Sequence, residues 1–393
     1  MKILQVIPYF PPAYSFGGPA KVVYDISQGL VRRNNEVVVY TSDALNSYSR
    51  MNFDILQSIK GMKIYYMRTF FLTFVKKYKL FITPELLLRI KKDIKKFKII
   101  HLHEYRTFQN VIIAHYARKF GVPYILQAHG SLPRIMDKQR LKRIYDKLFG
   151  YAILKYASKV IALNQKEATQ YLNLGISKEK IAIIPNGINL SEYSNFPSSD
   201  SFKKRFRIKP EDKLILYLGR IHRIKGIDIL IKAFAEIIKQ FDNVKLLIAG
   251  PDDGYLSEIQ LLINNLKIKN QVLICGSLYG KEKLEAYLAS DVYVLPSRYE
   301  TFPVSLLEAY INIKPVIASN VGSLKDLIIN GETGFLFEPE NVSELANYLR
   351  FAIENPDKMK KMGYAARRFV TANFSIDDVC FKLEKLFRNT INL

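Results

Sequence analysis

The sequence predicts an α/β protein made of two doubly wound domains, and three observations carry that expectation. The chain has 393 residues, more than one hydrophobic core usually supports. Short β-branched runs alternate with amphipathic helical stretches, the pattern of parallel βαβ units. The alternation pauses at a small polar stretch, "FPSSDS" (residues 196–201), which reads as a linker, and then restarts.

In the first half, strands are expected over residues 3–7, 37–41, 63–67, 99–102, 124–127, 159–163 and 181–184. Helical patterns lie between them, as where Val22, Ile26 and Leu30 recur at four-residue spacing after Pro19. In the second half, strands are expected over 213–219, 244–250, 271–276, 291–297 and 314–319. Ser375, Asp377 and Asp378 cap a final helix whose Val379, Leu383 and Leu386 form one apolar stripe. Ligands of such folds bind beyond the carboxyl ends of the strands, and with two domains the cleft between them is the expected place.

Composition narrows the function classes. Hydrophobic residues make up 49% and charged residues 24%, as in an ordinary globular protein. Cys275 and Cys380 stand far apart, in no CxxC or Cys/His cluster, which argues against a disulfide framework and a structural zinc and fits a reducing compartment. The apolar start "MKILQVIPYF" is broken by Gln5 and Pro8 and reads as a strand rather than a signal peptide. Even "FFLTFVKKYKLFI" is interrupted by Lys76, Lys77 and Lys79, so a cytoplasmic protein without a membrane span is expected. The net charge of +23 is concentrated in the first half: residues 1–190 carry 31 Lys and Arg against 11 Asp and Glu, residues 191–393 carry 28 against 25. Residues 60–98 hold 12 of the basic side chains, interleaved with Tyr65, Tyr66, Phe70, Phe71, Phe74, Tyr78 and Phe81. A basic, aromatic segment suits an anionic membrane surface, and also single-stranded nucleic acid.

Several strand ends carry candidate chemistry. In "LGRIHRIKG", Gly219 allows a tight turn, while Arg220 and Lys225 put two cations near the start of a helix expected around Ile227. That suits a diphosphate, although a basic turn in a basic protein would look the same. In "YETFPVSLLEA", Pro303 fits the first helical turn, so Glu300 lies in the preceding loop and Glu308 within the helix. Leu306 and Leu307 pack inward, which leaves a core helix with a solvated Glu as the plain alternative. Gly17 and Gly18 sit between the first strand and a helix opened by Pro19, and permit close backbone approach to an anion or simply a tight turn. No GxGxxG is present, and "GSLYGKE" fails as a P-loop because its glycines are too close and Glu282 replaces Ser or Thr. His129, in "LQAHGS", is a further strand-end candidate, although a lone His is often structural. No two aspartates are separated by one residue, so a paired-aspartate Mg²⁺ site is missing.

Taken together, Gly17-Gly18, "AHGS", "IPNGIN", "GRIHRIKG", "AGPDDGY" and "ETFPVSLLEA" resemble, in register along nearly the whole chain, the family-four (group 1) retaining glycosyltransferases of the GT-B fold. The resemblance implies two Rossmann-like domains facing each other across a cleft. They would be an acceptor-binding domain over 1–190 and a nucleotide-sugar-binding domain over 191–372, with a C-terminal helix, 373–393, crossing back to the first. It implies a UDP- or GDP-sugar as substrate, no cofactor and no metal. Arg220 and Lys225 would neutralise the diphosphate, Glu308 would accept from the ribose hydroxyls, and Glu300 and His129 would contact the sugar from either side. Gly276 to Leu278 would border the base, and Gly17, Gly18, Gly219, Phe302, Pro303, Val304 and Ser305 would complete the donor site. The acceptor would be a glycan or a lipid-linked sugar of cell-surface polysaccharide, glycolipid or glycoprotein assembly. Residues 60–98 would hold the enzyme on the anionic inner face of the cell membrane.

Three positions depart from the family pattern: Pro303 stands where many members have Gly, Asn189 where Asp is usual, and Lys325-Asp326 where Pro-Glu is usual. Two competing classes remain. A nucleotide-sugar epimerase would need an acid/base set beyond His129 and Glu300. A nucleic-acid-binding protein would explain the charge but leave Glu300, Glu308 and the glycine loops without a role.

Overall fold

A computed structural model describes residues 1–52, 55–135 and 138–392. The chain divides into two compact units, Met1–Gly187 with Ile376–Leu393, and Ile188–Ser375. The change of unit therefore falls at Gly187–Ile188, not in residues 196–201, whose last two residues already open the helix Asp200–Arg205.

Among the described residues, the first unit is built on one sheet of eight strands: β1 (Lys2–Val6), β2 (Glu36–Ser42), β3 (Leu56–Ile59), β4 (Met62–Met67), β5 (Ile99–His103), β6 (Tyr124–Gln127), β7 (Lys159–Ala162) and β8 (Ile181–Ile183). Their order is β3-β4-β2-β1-β5-β6-β7-β8, parallel throughout except for the β3/β4 pair. Every expected strand of this half is present. β3 was not expected, because "LQSI" is an edge strand of alternating exposure that shows no apolar run.

β1, β2, β5 and β6 are buried along nearly their whole length because helices cover the sheet on both faces. One cover is the final helix, Ile376–Ile391, packed on the helix Gly18–Arg32. Val379, Cys380, Leu383 and Phe387 are fully or almost fully buried. Gly29 makes that contact possible, since a Cβ there would strike the Cys380 thiol. Ion pairs from Arg32 to Asp377 (3.0 Å) and from Arg33 to Glu384 (2.8 Å) flank the seam.

The second unit carries six parallel strands: β9 (Lys213–Leu218), β10 (Val244–Ala249), β11 (Val272–Gly276), β12 (Val292–Leu295), β13 (Val316–Ser319) and β14 (Gly334–Phe337), ordered β11-β10-β9-β12-β13-β14. Only the edge strand β14 was not expected. Leu230, Phe234, Leu246, Ile248 and Val294, all fully buried, belong to its core. The strand order reverses between β1 and β5 in the first unit and between β9 and β12 in the second.

Candidate functional site

Where the strand order of an open parallel sheet reverses, the loops leaving neighbouring strands splay apart and make room for a ligand. In the second unit the loops after β9 and β12 occupy that position. Lys225 and Glu300 meet there: Lys225 Nζ is 2.6 Å from Glu300 Oε1, and the Ser297 hydroxyl donates to the same oxygen at 2.7 Å. Glu300 is only 7% exposed, so this carboxylate is held in place rather than solvated. Arg220 is anchored separately, its Nη1 2.5 Å from Asp253 Oδ2.

The backbone is stitched so that these loops keep their places. Arg298 forms a bidentate pair with Asp228 at 2.8 Å, donates to the Arg223 carbonyl at 2.7 Å, and reaches Glu340 at 2.7 Å. The residue that turns the β9 loop is Gly226 (φ +64°), the left-handed residue before the helix Ile227–Ile237, and a Cβ there would fall on the Pro296 carbonyl oxygen. Gly219, expected to supply the tight turn, does not occupy the left-handed region. Its missing side chain instead leaves room for the Tyr217 hydroxyl, which donates to the Arg220 carbonyl at 2.8 Å. Gly322 (φ +62°), after β13, lies so close to the Glu300 carbonyl that a Cβ would overlap it.

Glu308 sits on the helix Val304–Ile311, whose first turn has no side-chain cap; Pro303 precedes the helix instead of occupying its first turn. Its Oε1 is 2.5 Å from Lys283 Nζ and its Oε2 accepts from the Tyr287 hydroxyl at 3.2 Å. The Tyr293 hydroxyl lies 2.8 Å from Ser305 Oγ and 3.1 Å from the Leu218 carbonyl. Burial raises the Tyr293 pKa, the Ser305 hydroxyl opposes the rise, and the Glu300 and Glu308 carboxylates both add to it. Both glutamates therefore act electrostatically on one buried phenol. Phe302 packs on Phe374 with ring centres 5.6 Å apart, Val304 and Ser305 are half-buried, Gly276 (φ +72°) ends β11 in the open, and Leu278 is buried.

The remaining predicted residues belong to the first unit. Gly17 (φ +125°) precedes the helix Gly18–Arg32, with Pro19 in its first turn. His129 follows β6 in the left-handed region (φ +51°) and its loop is clamped at several points. Glu167 accepts from the Gly130 N–H at 2.7 Å and from the Leu163 N–H at 2.8 Å, and burial raises its pKa to about 7. Arg106 binds the Ser131 and Leu132 carbonyls while pairing with the buried Asp146 at 2.8 Å. His129 Nε2 is 2.9 Å from His103 Nδ1, and burial lowers the His129 pKa to about 3.

Sequence reading missed Lys283, Ser297 and Asp253, the polar partners of the predicted residues, and His103. Ser297 and Asp253 lie inside stretches already singled out. Lys283 sits in "KEKLEAYL" and carries no signal of its own, since its contact with Glu308 is made only by the fold.

Residues 198–369 match the family model described as glycosyl transferases group 1, and residues 16–192 match glycosyltransferase family 4. An uncharacterised glycosyltransferase of Methanocaldococcus jannaschii is 28% identical over 366 residues, spanning 88% of this chain and 87% of that one. The D-inositol 3-phosphate glycosyltransferase of Nocardia farcinica is 26% identical over 221 residues, 54% of this chain and 49% of that one. Among solved structures, sucrose-phosphate synthase from Thermosynechococcus elongatus superposes with a TM-score of 0.80 at 23% identity, covering 99% of this chain and 98% of that one. Anabaena HepE, in complex with UDP-glucose, gives 0.81 at 21% identity, covering 99% and 100%.

Proposed function

Because the chain belongs to the group 1, family-four glycosyltransferases and has their GT-B fold, we propose that it moves a sugar, with retention and without a metal, from a UDP- or GDP-sugar to a glycan or lipid-linked acceptor. The observation that carries this reading is the Lys225–Glu300 pair at 2.6 Å, on the loop that also bears Arg220, at the strand-order reversal of the second unit. It sets cations for a departing diphosphate beside a carboxylate suited to sugar hydroxyls.

The hydrogen-bonding inventory fits such a ligand. An ammonium has three N–H donors, and Lys225 uses one on Glu300, which leaves two for phosphate oxygens. Arg220 keeps most of its guanidinium donors beyond the one on Asp253, enough for a bidentate phosphate contact. Glu308 retains lone pairs beyond those facing Lys283 and Tyr287, which the two hydroxyls of a ribose would fill. As the bond between the sugar's anomeric carbon and the diphosphate breaks, the acceptor oxygen attacks from the same face and its proton passes to the departing diphosphate. Stabilising that anion with preorganised cations is the main catalytic effect. That HepE is described in complex with UDP-glucose supports a nucleotide-sugar donor for this chain.

The acceptor reading draws on the first unit. Phe70, Phe71, Phe74 and Tyr78 are 38–62% exposed on and around the helix Leu72–Tyr78, which also bears Lys76 and Lys77. Lys138 stacks on Tyr78 at 5.2 Å, and the helix that follows it, Gln139–Tyr145, exposes Leu141 and Ile144. Among the described residues no helix is long and apolar enough to cross a membrane. An apolar, basic face of this kind is suited to lying on anionic lipid at the inner surface of the cell membrane, where a lipid-linked acceptor resides.

The reading is tested by thermal shift with a panel of sugar nucleotides and no added metal. One uridine or guanosine diphosphate sugar is expected to stabilise the wild type and to lose its effect on Glu308→Ala and Lys225→Ala. Stabilisation by nucleic acid, with none by any sugar nucleotide, would overturn it. The anomeric proton coupling of the product, read by NMR, distinguishes retention from inversion.

A further inference from the structure

Three neighbouring strands of the first unit place polar side chains on one face of their sheet. In the strand registers Gln5 of β1 faces His101 of β5, and His103 of β5 faces Gln127 of β6. All four are at most 2% exposed. A parallel sheet covered on both faces is ordinarily apolar, and an unpaired polar group there is destabilising. This polar file runs to the carboxyl end of the sheet and ends at His129.

The contacts along it have a direction. Gln5 Oε1 lies 2.7 Å from His103 Nε2, and His103 Nδ1 lies 2.9 Å from His129 Nε2. An amide oxygen only accepts, so His103 Nε2 carries the proton. A neutral imidazole has one N–H, so His103 Nδ1 is bare and must accept, which puts the proton of the next contact on His129 Nε2. His129 Nδ1 is then bare as well. The rings stay neutral because burial lowers His101 and His129 to about 3 and His103 well below its ordinary value. The His101 and His103 rings, 4.0 Å apart, would also repel as cations.

We infer that Gln5 and His103 are positioning residues, a two-bond relay that holds His129 in the Nε2–H tautomer and leaves its Nδ1 lone pair as the group offered to a substrate hydroxyl. This rests on the reading that His129 contacts the sugar. His129 thereby accepts a hydrogen bond and cannot donate one, which makes it selective for a hydroxyl at the position it meets. The left-handed backbone of His129 and the Glu167 clamp on Gly130 hold the ring at the end of the relay.

The test begins with the wild-type protein, labelled with ¹⁵N-histidine and free of ligand, in long-range ¹H–¹⁵N correlation spectra at pH 7. A His129→Gln spectrum assigns the signal. Neutral Nε2–H tautomers at His103 and His129 are expected. A His129 found as Nδ1–H, as it would be if the Gln5 amide were turned the other way, or as imidazolium, overturns the relay. In Gln5→Leu, His129 is expected to show mixed tautomers and kcat to fall about 10-fold. The thermal shift induced by the nucleoside diphosphate alone stays unchanged, because neither residue belongs to the unit that carries Lys225 and Glu308. Unchanged tautomers together with unchanged kcat in that variant also overturn it. If the tautomers behave as expected but His129→Ala transfers sugar at the wild-type rate, the assignment of His129 to the sugar fails, and the relay is then purely structural.

Discussion

Lys225 and Glu300 lie 75 residues apart in the chain and meet at 2.6 Å, each with hydrogen-bonding capacity to spare. The pair neutralises two charges that would otherwise face each other's absence in a half-buried site.

Removing either partner is expected to act on both chemistry and stability. Glu300→Gln and Lys225→Ala should lower kcat by about 10²–10³-fold, the range for loss of one preorganised charge contact. Lys225→Ala should also destabilise the second unit by about 1–3 kcal/mol in urea unfolding, because the buried Glu300 carboxylate then loses its cation and is left with the Ser297 hydroxyl. A Lys225→Ala protein of wild-type stability and rate would contradict both expectations.

Gly322 offers a test that removes no functional side chain. A Cβ in Gly322→Ala must push the Glu300 carbonyl aside and adopt a left-handed backbone. Displacement of the loop by a fraction of an ångström is expected to lower kcat by roughly 10-fold or more. Nucleotide binding, for which Glu308 is the proposed contact, should survive, and comparing the two by steady-state kinetics and thermal shift separates them.

His101 predicts a pH dependence. Burial lowers its pKa to about 3, so below its ordinary value of 6.5 the unfolded chain takes up a proton that the folded ring refuses. The fold then loses stability as pH falls from about 6.5 toward 3, at up to about 1.4 kcal/mol per pH unit for this one group. His101→Leu should therefore be favoured over wild type by about 2 kcal/mol more at pH 5 than at pH 8. Melting curves of the two proteins at the two pH values measure the difference, and a difference that does not change with pH would exclude the effect.

The exposed face around Phe71 and Phe74 should bind vesicles containing anionic lipid and release them as salt is raised, since each basic side chain near the surface adds about 1 kcal/mol of screened attraction. Phe71→Ser with Phe74→Ser should weaken co-sedimentation while leaving the melting temperature within a few degrees, because both rings are largely outside the core. Binding indifferent to lipid charge and salt would count against this surface.

Much of this was legible in the sequence because parallel strands buried on both faces leave apolar runs, and every run singled out became a strand. Two edge strands, β3 and β14, escaped: "LQSI" alternates in exposure, and "GFLF" opens on a glycine and is only half-buried at its middle residues. The Glu300 and Lys225 positions were legible because each follows a strand in a stretch of distinctive chemistry. Lys283 and His103 were not, since a Lys within an ordinary amphipathic helix and a His within a strand become informative only when the fold brings Glu308 or His129 beside them. Gly219 shows the limit of reading turns from composition: the chain turns at Gly226, where the close approach of the Pro296 carbonyl, a non-local fact, demands it.

The final helix has a consequence for how the protein is made. Phe387, Leu383 and Val379 fill the core of a unit whose other residues end at Gly187. During translation, every strand of that unit has left the ribosome long before its last helix is synthesised. A nascent chain halted after Ser375 would hold all of the second unit and an unsealed first one, its helix Gly18–Arg32 still showing an apolar face to solvent. Late completion of the earliest-made part makes the order of synthesis the reverse of the order of closure.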